Sequence, residues 1–207
     1  MNIRTEKCAP RLRGVAMGAL VAMAILWRPM AAHAEVRIVA IGDSIVLGSG
    51  TSFAGGRGGV SMSQAWPAVL ERMLRSQGWN VTVVNQGVNG EESSGTLARV
   101  GSAVPVGTDL TVVMVGGKDM LNHVSHETLR SNLKAIAEAI RARGSAVLIE
   151  YPKATEGMRD PVTHYAIAEY DSGDHEHFNA AGNELIASRI LSEAERELRK
   201  RGLEPGK

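Results

Sequence analysis

A short polar segment near the carboxyl end of the chain holds the densest group of residues able to do chemistry. It spans residues 171–182, DSGDHEHFNAAG, and its first seven positions hold Asp171, Asp174, His175, Glu176 and His177. An imidazole beside a carboxylate transfers protons in catalysis, because the carboxylate fixes the tautomer of the ring. The same residue types bind divalent metals and also occur in solvated loops. The segment therefore has three interpretations: a proton-transfer pair, a metal site or a polar loop.

A metal site would use the two histidines of this segment together with its aspartates. In an extended segment, His175 and His177 share one face. Nothing elsewhere in the sequence supplies a spaced third-ligand pattern, and His123 and His126 fall where a helix is expected to begin. We therefore favour the proton-transfer pair over a polar loop, and the polar loop over a metal site.

Alternating strand and helix patterns indicate how the remaining polar residues are positioned. Four nearly continuous, β-branched apolar runs predict strands buried on both faces, at 36–41, 81–85, 110–115 and 146–151. Helical patterns lie between and after them, at 63–77, 93–103, 127–143 and about 180–201. This alternation predicts an α/β fold with a parallel sheet and right-handed crossovers.

Polar and glycine residues follow three of these strands directly. Gly42-Asp43-Ser44 follows the first, NQGVNGEES the second and GGKD (116–119) the third. In such sheets, ligands bind outside the carboxyl ends of the strands. The topology thus brings a hydroxyl, backbone donors, a carboxylate and an imidazole to one edge. These are the parts needed for acyl transfer at a serine.

The first 34 residues have the features of a signal peptide. Arg4, Lys7, Arg11 and Arg13 precede an apolar run at 15–27, and Ala-His-Ala at 32–34 matches a cleavage pattern. We expect cleavage before Glu35, which leaves residues 35–207 as one domain of about 170 residues. An uncleaved anchor is the less favoured alternative.

Removal of this leader changes both the charge and the cysteine content. The leader holds five basic residues and one acidic residue, so the net charge falls from +1 to −3. No basic patch with interleaved aromatics remains, which argues against a nucleic-acid partner. Cys8 is the only cysteine and is removed. Disulfides, a thiol nucleophile and cysteine-bound metal are therefore excluded in the mature chain.

Four ordered sequence blocks resemble those of the SGNH (GDSL-type) hydrolase superfamily. They are IGDSIVLGSG, NQGVNGEESSGTLARV, GGKDML and DHEHFNAAG, and QAWPAVLERML resembles the helix that follows the first block. The similarity is greatest to the periplasmic thioesterase, lysophospholipase and arylesterase branch. It implies a three-layer, flavodoxin-like α/β/α sandwich with a mainly parallel sheet of four to five strands.

The resemblance also implies a role for each matching residue. Ser44 is the expected nucleophile. His177 is the expected base and Asp174 orients it, because only His177 keeps the Asp-x-x-His spacing. The expected oxyanion hole consists of the backbone N–H groups of Ser44 and Gly90 together with Lys118.

Two features depart from the family pattern. Lys118 stands where the family has an asparagine that donates to the oxyanion, so the third donor is either replaced or lost. Residues 152–173 are too short for the usual helix and strand. Within them, VTHYAIA is expected either to form a fifth strand or to be reshaped. The glycine-rich loop 48–59 is expected beside Ser44.

These observations predict a secreted or periplasmic serine esterase or thioesterase. It would hydrolyse small to medium acyl esters through a Ser-His-Asp triad, without a cofactor or metal. Its expected partner is a small-molecule ester or thioester, with no nucleic acid and no stable membrane span after cleavage. The alternatives are a carbohydrate O-acetyl esterase or acyltransferase, and a non-catalytic module that binds glycan or acyl groups. The oligomeric state stays open.

Overall fold

The computed structural model describes residues 35–48 and 60–206. The predicted leader and residues 49–59 of the glycine-rich loop lie outside the described residues. In chain order the elements are β1 (Val36–Gly42), α1 (Ser44–Leu47), α2 (Trp66–Ser76), β2 (Val81–Gly87), α3 (Ser93–Ala103), β3 (Leu110–Met114), α4 (Gly117–Leu121), α5 (His126–Ala142), β4 (Ala146–Ile149) and α6 (Ala180–Lys200). In the described part of the chain, no helix has the length and apolar character to cross a membrane.

The four predicted strands form one parallel sheet in the order β2-β1-β3-β4. Each strand starts where the apolar run starts, and the ends differ by two residues at most. The chain runs from β1 to β2 on one side and returns to β3 on the other. The order therefore reverses at β1, which is where open α/β sheets bind ligands.

Helices cover both faces of the sheet and complete the three layers that the resemblance implied. Ile38 and Ala40 of β1 belong to the cluster that contains the apolar residues of α2 and α6. Val39 and Ile41 belong to the opposite cluster, with residues of α3 and α5. Both side-chain sets of β1 are buried, which explains why the strand sequence lacks polar alternation.

Two asparagines fix the start of α6 against α2. The Asn179 side chain accepts a hydrogen bond from the Gly182 N–H and caps α6. The buried Asn183 side chain accepts from the Trp66 N–H at 2.9 Å and donates to the carbonyl oxygens of Phe178 and Asn179. The polar segment 171–178 is thereby held next to the first turn of α2.

The carboxyl end of β1 approaches β3 too closely for a side chain. Gly42 has φ +152°, and a Cβ atom there would lie 1.9 Å from the Met114 carbonyl oxygen. Gly42 pairs with Gly87 of β2 and with Met114 of β3, so the three strands end at the same level. The loops after these strands consequently start beside one another.

The segment 152–173 forms no fifth strand, so the second of the two expected outcomes holds. It contains one 3₁₀ turn, Lys153–Thr155, and isolated bridges at Arg159–Ala166 and Asp171–Phe178. Asp160 accepts the N–H groups of Val162 and Thr163, which folds the chain into a turn where VTHYAIA begins. In the described residues the sheet therefore has four strands.

Candidate active site

Ser44 is the first residue of α1, directly beyond the end of β1. Asp43 caps this short helix, since its Oδ1 accepts a hydrogen bond from the Ile45 N–H at 2.9 Å. Both Asp43 and Ser44 are buried. The turn from strand to helix is thus fixed by the carboxylate that precedes the serine.

The loop after β2 is held by a charged side chain that the sequence analysis did not single out. Arg99 of α3 forms a salt bridge with Glu91 and donates to the carbonyl oxygens of Gly42 and Gln86 at 3.2 and 2.8 Å. Gly90 lies in this loop with φ +71° and is exposed. The LAR triplet in the second sequence block was the available signal for Arg99.

The loops after β2 and β3 are joined by a buried polar cluster. Asp119 of α4 is 1% exposed and accepts hydrogen bonds from the N–H and the hydroxyl of Ser93, at 2.8 and 2.5 Å. Asn132 of α5 donates to the same hydroxyl at 2.9 Å. Asp119 therefore has a structural explanation, and its neighbour Lys118 is held at the start of α4.

Asp174 and His177 form the hydrogen-bonded pair that the resemblance implied. The Asp174 Oδ2 lies 2.8 Å from the His177 Nδ1, and Oδ1 accepts from the Ser172 hydroxyl and the N–H groups of Glu176 and His177. Partial desolvation opposes these bonds, but together they lower the pKa of Asp174 to about 2. The His177 Nε2 is buried and has no hydrogen-bond partner in the described structure.

His175 has a separate carboxylate partner. Its Nδ1 lies 2.8 Å from the Asp171 Oδ2, and its ring stacks on Tyr165 with 5.3 Å between centroids. The His175 side chain is 64% exposed, against 12% for His177. The residues considered for a metal site thus divide into two pairs, and the described residues contain no group of three or more metal-binding side chains.

A cavity of about 380 Å³ opens beside Ser44. Ser44, Asp174 and Lys118 all line it, together with Arg159 and Tyr165 from the irregular segment 152–173. His177 and Gly90 are not among its lining residues, and the orphaned Nε2 shows that no Ser44–His177 hydrogen bond is formed. The structure therefore places three of the five expected site residues in the lining of one cavity.

Two backbone N–H groups expected in the oxyanion hole remain unused. In the residues that the structure describes, the N–H groups of Ser44 and Gly90 have no hydrogen-bond partner. Lys118 is half-buried and has no ion pair there either. Ser44 and Lys118 line the cavity, so their donors are available to a ligand bound there, whereas Gly90 lies outside the lining.

Asp43 is the most perturbed carboxyl group at the site. Burial raises its pKa to about 6, although the hydrogen bond from the Ile45 N–H and interactions with His177 and Arg159 act in the opposite direction. Arg159 was missed by the sequence analysis, because an arginine in an irregular loop carries no periodic or motif signal. It lines the same cavity as Asp43 and Ser44.

Comparisons with known proteins give a consistent picture. Residues 40–189 match the profile of the GDSL-like Lipase/Acylhydrolase family. The chain is 30% identical to Esterase TesA of Pseudomonas aeruginosa over 139 residues, and 26% identical to an Arylesterase of Vibrio mimicus over 120 residues. These matches cover 67% and 58% of this chain. They span 63% and 56% of the two relatives, which is less than two thirds of their length.

A solved crystal structure of TesA has the same fold. It superposes with a TM-score of 0.59 at 22% identity, covering 79% of this chain and 98% of that one.

The burial of Asp43 gives a testable pH dependence of stability. The pKa of Asp43 is raised from 3.8 to about 6 in the folded protein, so the folded state binds more protons than the unfolded state between these values. Stability is therefore lost as pH rises from about 4 to about 6. Asp43→Asn retains an oxygen to cap α1 and removes this cost. Above pH 6 it should be more stable than wild type by about 1–3 kcal/mol, measured by urea unfolding.

Asp160→Asn is the matched control. Hydrogen bonds from Thr163 and Val162 lower the pKa of Asp160, so its contribution to stability is lost as pH falls. The difference in stability between Asp160→Asn and wild type should therefore change with pH in the opposite direction to the difference between Asp43→Asn and wild type. Parallel stability curves for wild type and Asp43→Asn between pH 4 and 7 would contradict the account of Asp43.

Proposed function

Because this chain belongs to the GDSL-like lipase/acylhydrolase family, we propose that it is an esterase or thioesterase with Ser44 as its nucleophile. The observation that carries the proposal is the position of Ser44. It lies at the carboxyl end of β1 and lines a cavity that is also lined by Asp174, the partner of His177. A serine hydroxyl, an imidazole and a carboxylate, acting in that order, suit acyl transfer.

In the proposed mechanism His177 activates Ser44. The serine proton passes to the His177 Nε2, while Oγ bonds to the carbonyl carbon of the ester. The tetrahedral intermediate breaks its bond to the alcohol or thiol, which leaves with the proton from His177. Water then repeats the sequence on the acyl-enzyme and releases the acid. Catalytic hydrogen bonds often form only with substrate bound, and an orphaned, buried Nε2 needs such a partner.

Asp174 and the oxyanion donors support these steps. The Asp174 carboxylate accepts the His177 Nδ1–H, which leaves Nε2 unprotonated to receive the serine proton. The N–H groups of Ser44 and Gly90 and the ammonium of Lys118 donate to the developing oxyanion. His177 is preferred over His175 as the base, because it keeps the Asp-x-x-His spacing and its side chain is 12% exposed, whereas His175 is 64% exposed.

The substrate has a small to medium acyl group in this proposal. The cavity is about 380 Å³, and the irregular segment 152–173 forms one side of it through Arg159, Thr163, His164 and Tyr165. The apolar lining consists mainly of Ile45, Met120, Leu121 and two tyrosines, and a cavity of this size suits a short chain better than a long one. No cofactor is required by the chemistry.

Residues 1–34 serve as a signal peptide cut before Glu35, and the mature protein acts in the periplasm or outside the cell.

The nucleophile and its base are tested with a fluorophosphonate probe. Such a probe should label Ser44 alone, because only an activated serine attacks it. His177→Ala should abolish labelling, whereas His175→Ala should retain most of it, as measured by peptide mass spectrometry. Equal losses in the two histidine variants would refute the assignment of His177.

Turnover and acyl range are tested together with p-nitrophenyl esters. Acetyl to butyryl esters should be hydrolysed with higher kcat/KM than decanoyl esters. A long chain gains roughly 0.8 kcal/mol per methylene only where apolar wall buries it. Ser44→Ala should remove all hydrolysis above background. A kcat/KM that rises steadily through decanoyl would mean that the acyl groove is built elsewhere.

Lys118 decides whether the oxyanion hole is complete. If its ammonium donates to the oxyanion, Lys118→Ala should lower kcat by about 10²–10³ with little change in KM. Lys118→Asn should then keep much of the activity, since an amide N–H also donates. A neutral effect of Lys118→Ala would contradict this role. An inactive wild type with an active Lys118→Asn variant would instead support the non-catalytic binding module.

A further inference from the structure

Arg159 is held in the cavity wall by contacts that leave its charge unneutralised. Its two terminal nitrogens donate to the carbonyl oxygens of His164 and Glu176, at 3.1 and 2.7 Å. The guanidinium also lies 4.9 Å from the centroid of the buried Phe178 ring. A guanidinium has five N–H donors, and only two of these are used in the described structure.

Neither cation that lines the cavity is paired with a carboxylate in the described residues. Three carboxylates line it, but Asp43 caps α1 and Asp174 is bonded to His177. Glu176 has no hydrogen bond to its side chain and no ion pair in the described residues. Arg159 and Lys118 likewise have no carboxylate within 4.0 Å there. Both cations therefore keep N–H donors free for a ligand, while the three carboxylates keep their own negative charges.

Arg159 and Ser44 line the same cavity. Burial raises the pKa of both Asp43 and Tyr151, and the positive charge of Arg159 opposes that rise in each case. Asp43 is adjacent to Ser44, and Tyr151 lines the same cavity. A ligand that fills the space between Ser44 and Arg159 is thus within reach of both the nucleophile and an unneutralised guanidinium.

We infer that the preferred ester carries a carboxylate, and that the Arg159 guanidinium binds it through its unused N–H donors. This inference rests on the proposed esterase function and adds the substrate class. Charge-assisted bonds from arginine to carboxylate are stronger than neutral ones and are often bidentate. A neutral substrate would displace water from the guanidinium without replacing its hydrogen bonds, which is unfavourable.

The test compares two acetyl esters that differ mainly in charge. One is 4-acetoxybenzoate and the other is its neutral methyl ester, so the acyl group transferred is the same. Wild type should prefer the anionic ester by roughly tenfold or more in kcat/KM. Added salt should reduce this preference, because it screens the attraction.

Variants of the charged residues identify the source of the preference. Arg159→Gln should abolish it and Arg159→Lys should retain part of it, since lysine keeps the charge but not the planar donor set. Glu176→Gln should increase it by removing the opposing charge. Arg72→Gln is the matched control, because exposed Arg72 also donates to backbone carbonyls but does not line this cavity. It should leave the ratio unchanged. Because kcat/KM for the two esters is compared within each variant, a general loss of folded protein lowers both values and leaves their ratio unchanged.

A binding measurement separates this inference from the esterase proposal. In a Ser44→Ala background, 4-acetoxybenzoate should bind at least about tenfold more tightly than in Ser44→Ala/Arg159→Gln, by calorimetry. Such binding without wild-type hydrolysis would support the inference and refute the esterase. Hydrolysis of both esters at equal kcat/KM, or a preference that survives in Arg159→Gln, would overturn the inference and leave the esterase standing.

Discussion

The carboxyl end of β1 lies between β2 and β3 with no space for a side chain. A Cβ on Gly42 would overlap the Met114 carbonyl, and one on Gly87 would lie 2.2 Å from the Leu47 nitrogen. Because interiors are close-packed, the three strand ends have one arrangement and not a range of them. Ser44, the loop that contains Gly90 and the start of α4 inherit their relative positions from this contact. The relative positions of the candidate site residues at the sheet edge are therefore set by backbone packing, and side-chain contacts act within that arrangement.

Side chains that bond to the loops then fix the loops relative to the strand ends. Arg99 connects the end of β1 to the loop after β2, and Asp119 connects that loop to α4. Buried charges of this kind are tolerated only when they are hydrogen-bonded or paired, and both residues are. Asp43 is different, because its single backbone hydrogen bond does not offset burial, which leaves its pKa at about 6. The serine is thus preceded by a carboxyl group that is costly to ionise.

The parts of the structure that follow from periodicity were predictable from the sequence. The four strands, their parallel arrangement and the long helices follow from apolar runs and from stripes such as Ile136 and Ile140. The Asp174–His177 pair followed from a short-range motif. The sequence did not predict the short helices α1 and α4 or the shape of the segment 152–173. Their shape depends on individual caps and on bonds such as the one from Arg159 to the Glu176 carbonyl. Those bonds join residues whose separation in sequence carries no pattern.

The segment 152–173, whose shape the sequence did not predict, also forms part of the cavity lining. A full-sized helix and strand would have surrounded the site with the apolar surface of regular elements. The shorter segment instead places a polar loop there, held to the His177 segment by Arg159 and by the Ala166 N–H bonded to the His175 carbonyl. Its backbone carbonyls orient the guanidinium but do not neutralise it. Arg159 and Lys118 therefore put charged donors into a cavity whose other lining includes Ile45, Met120 and Leu121. A carboxylate bound by these donors would gain charge-assisted hydrogen bonds, while a short acyl chain would pack on the apolar residues.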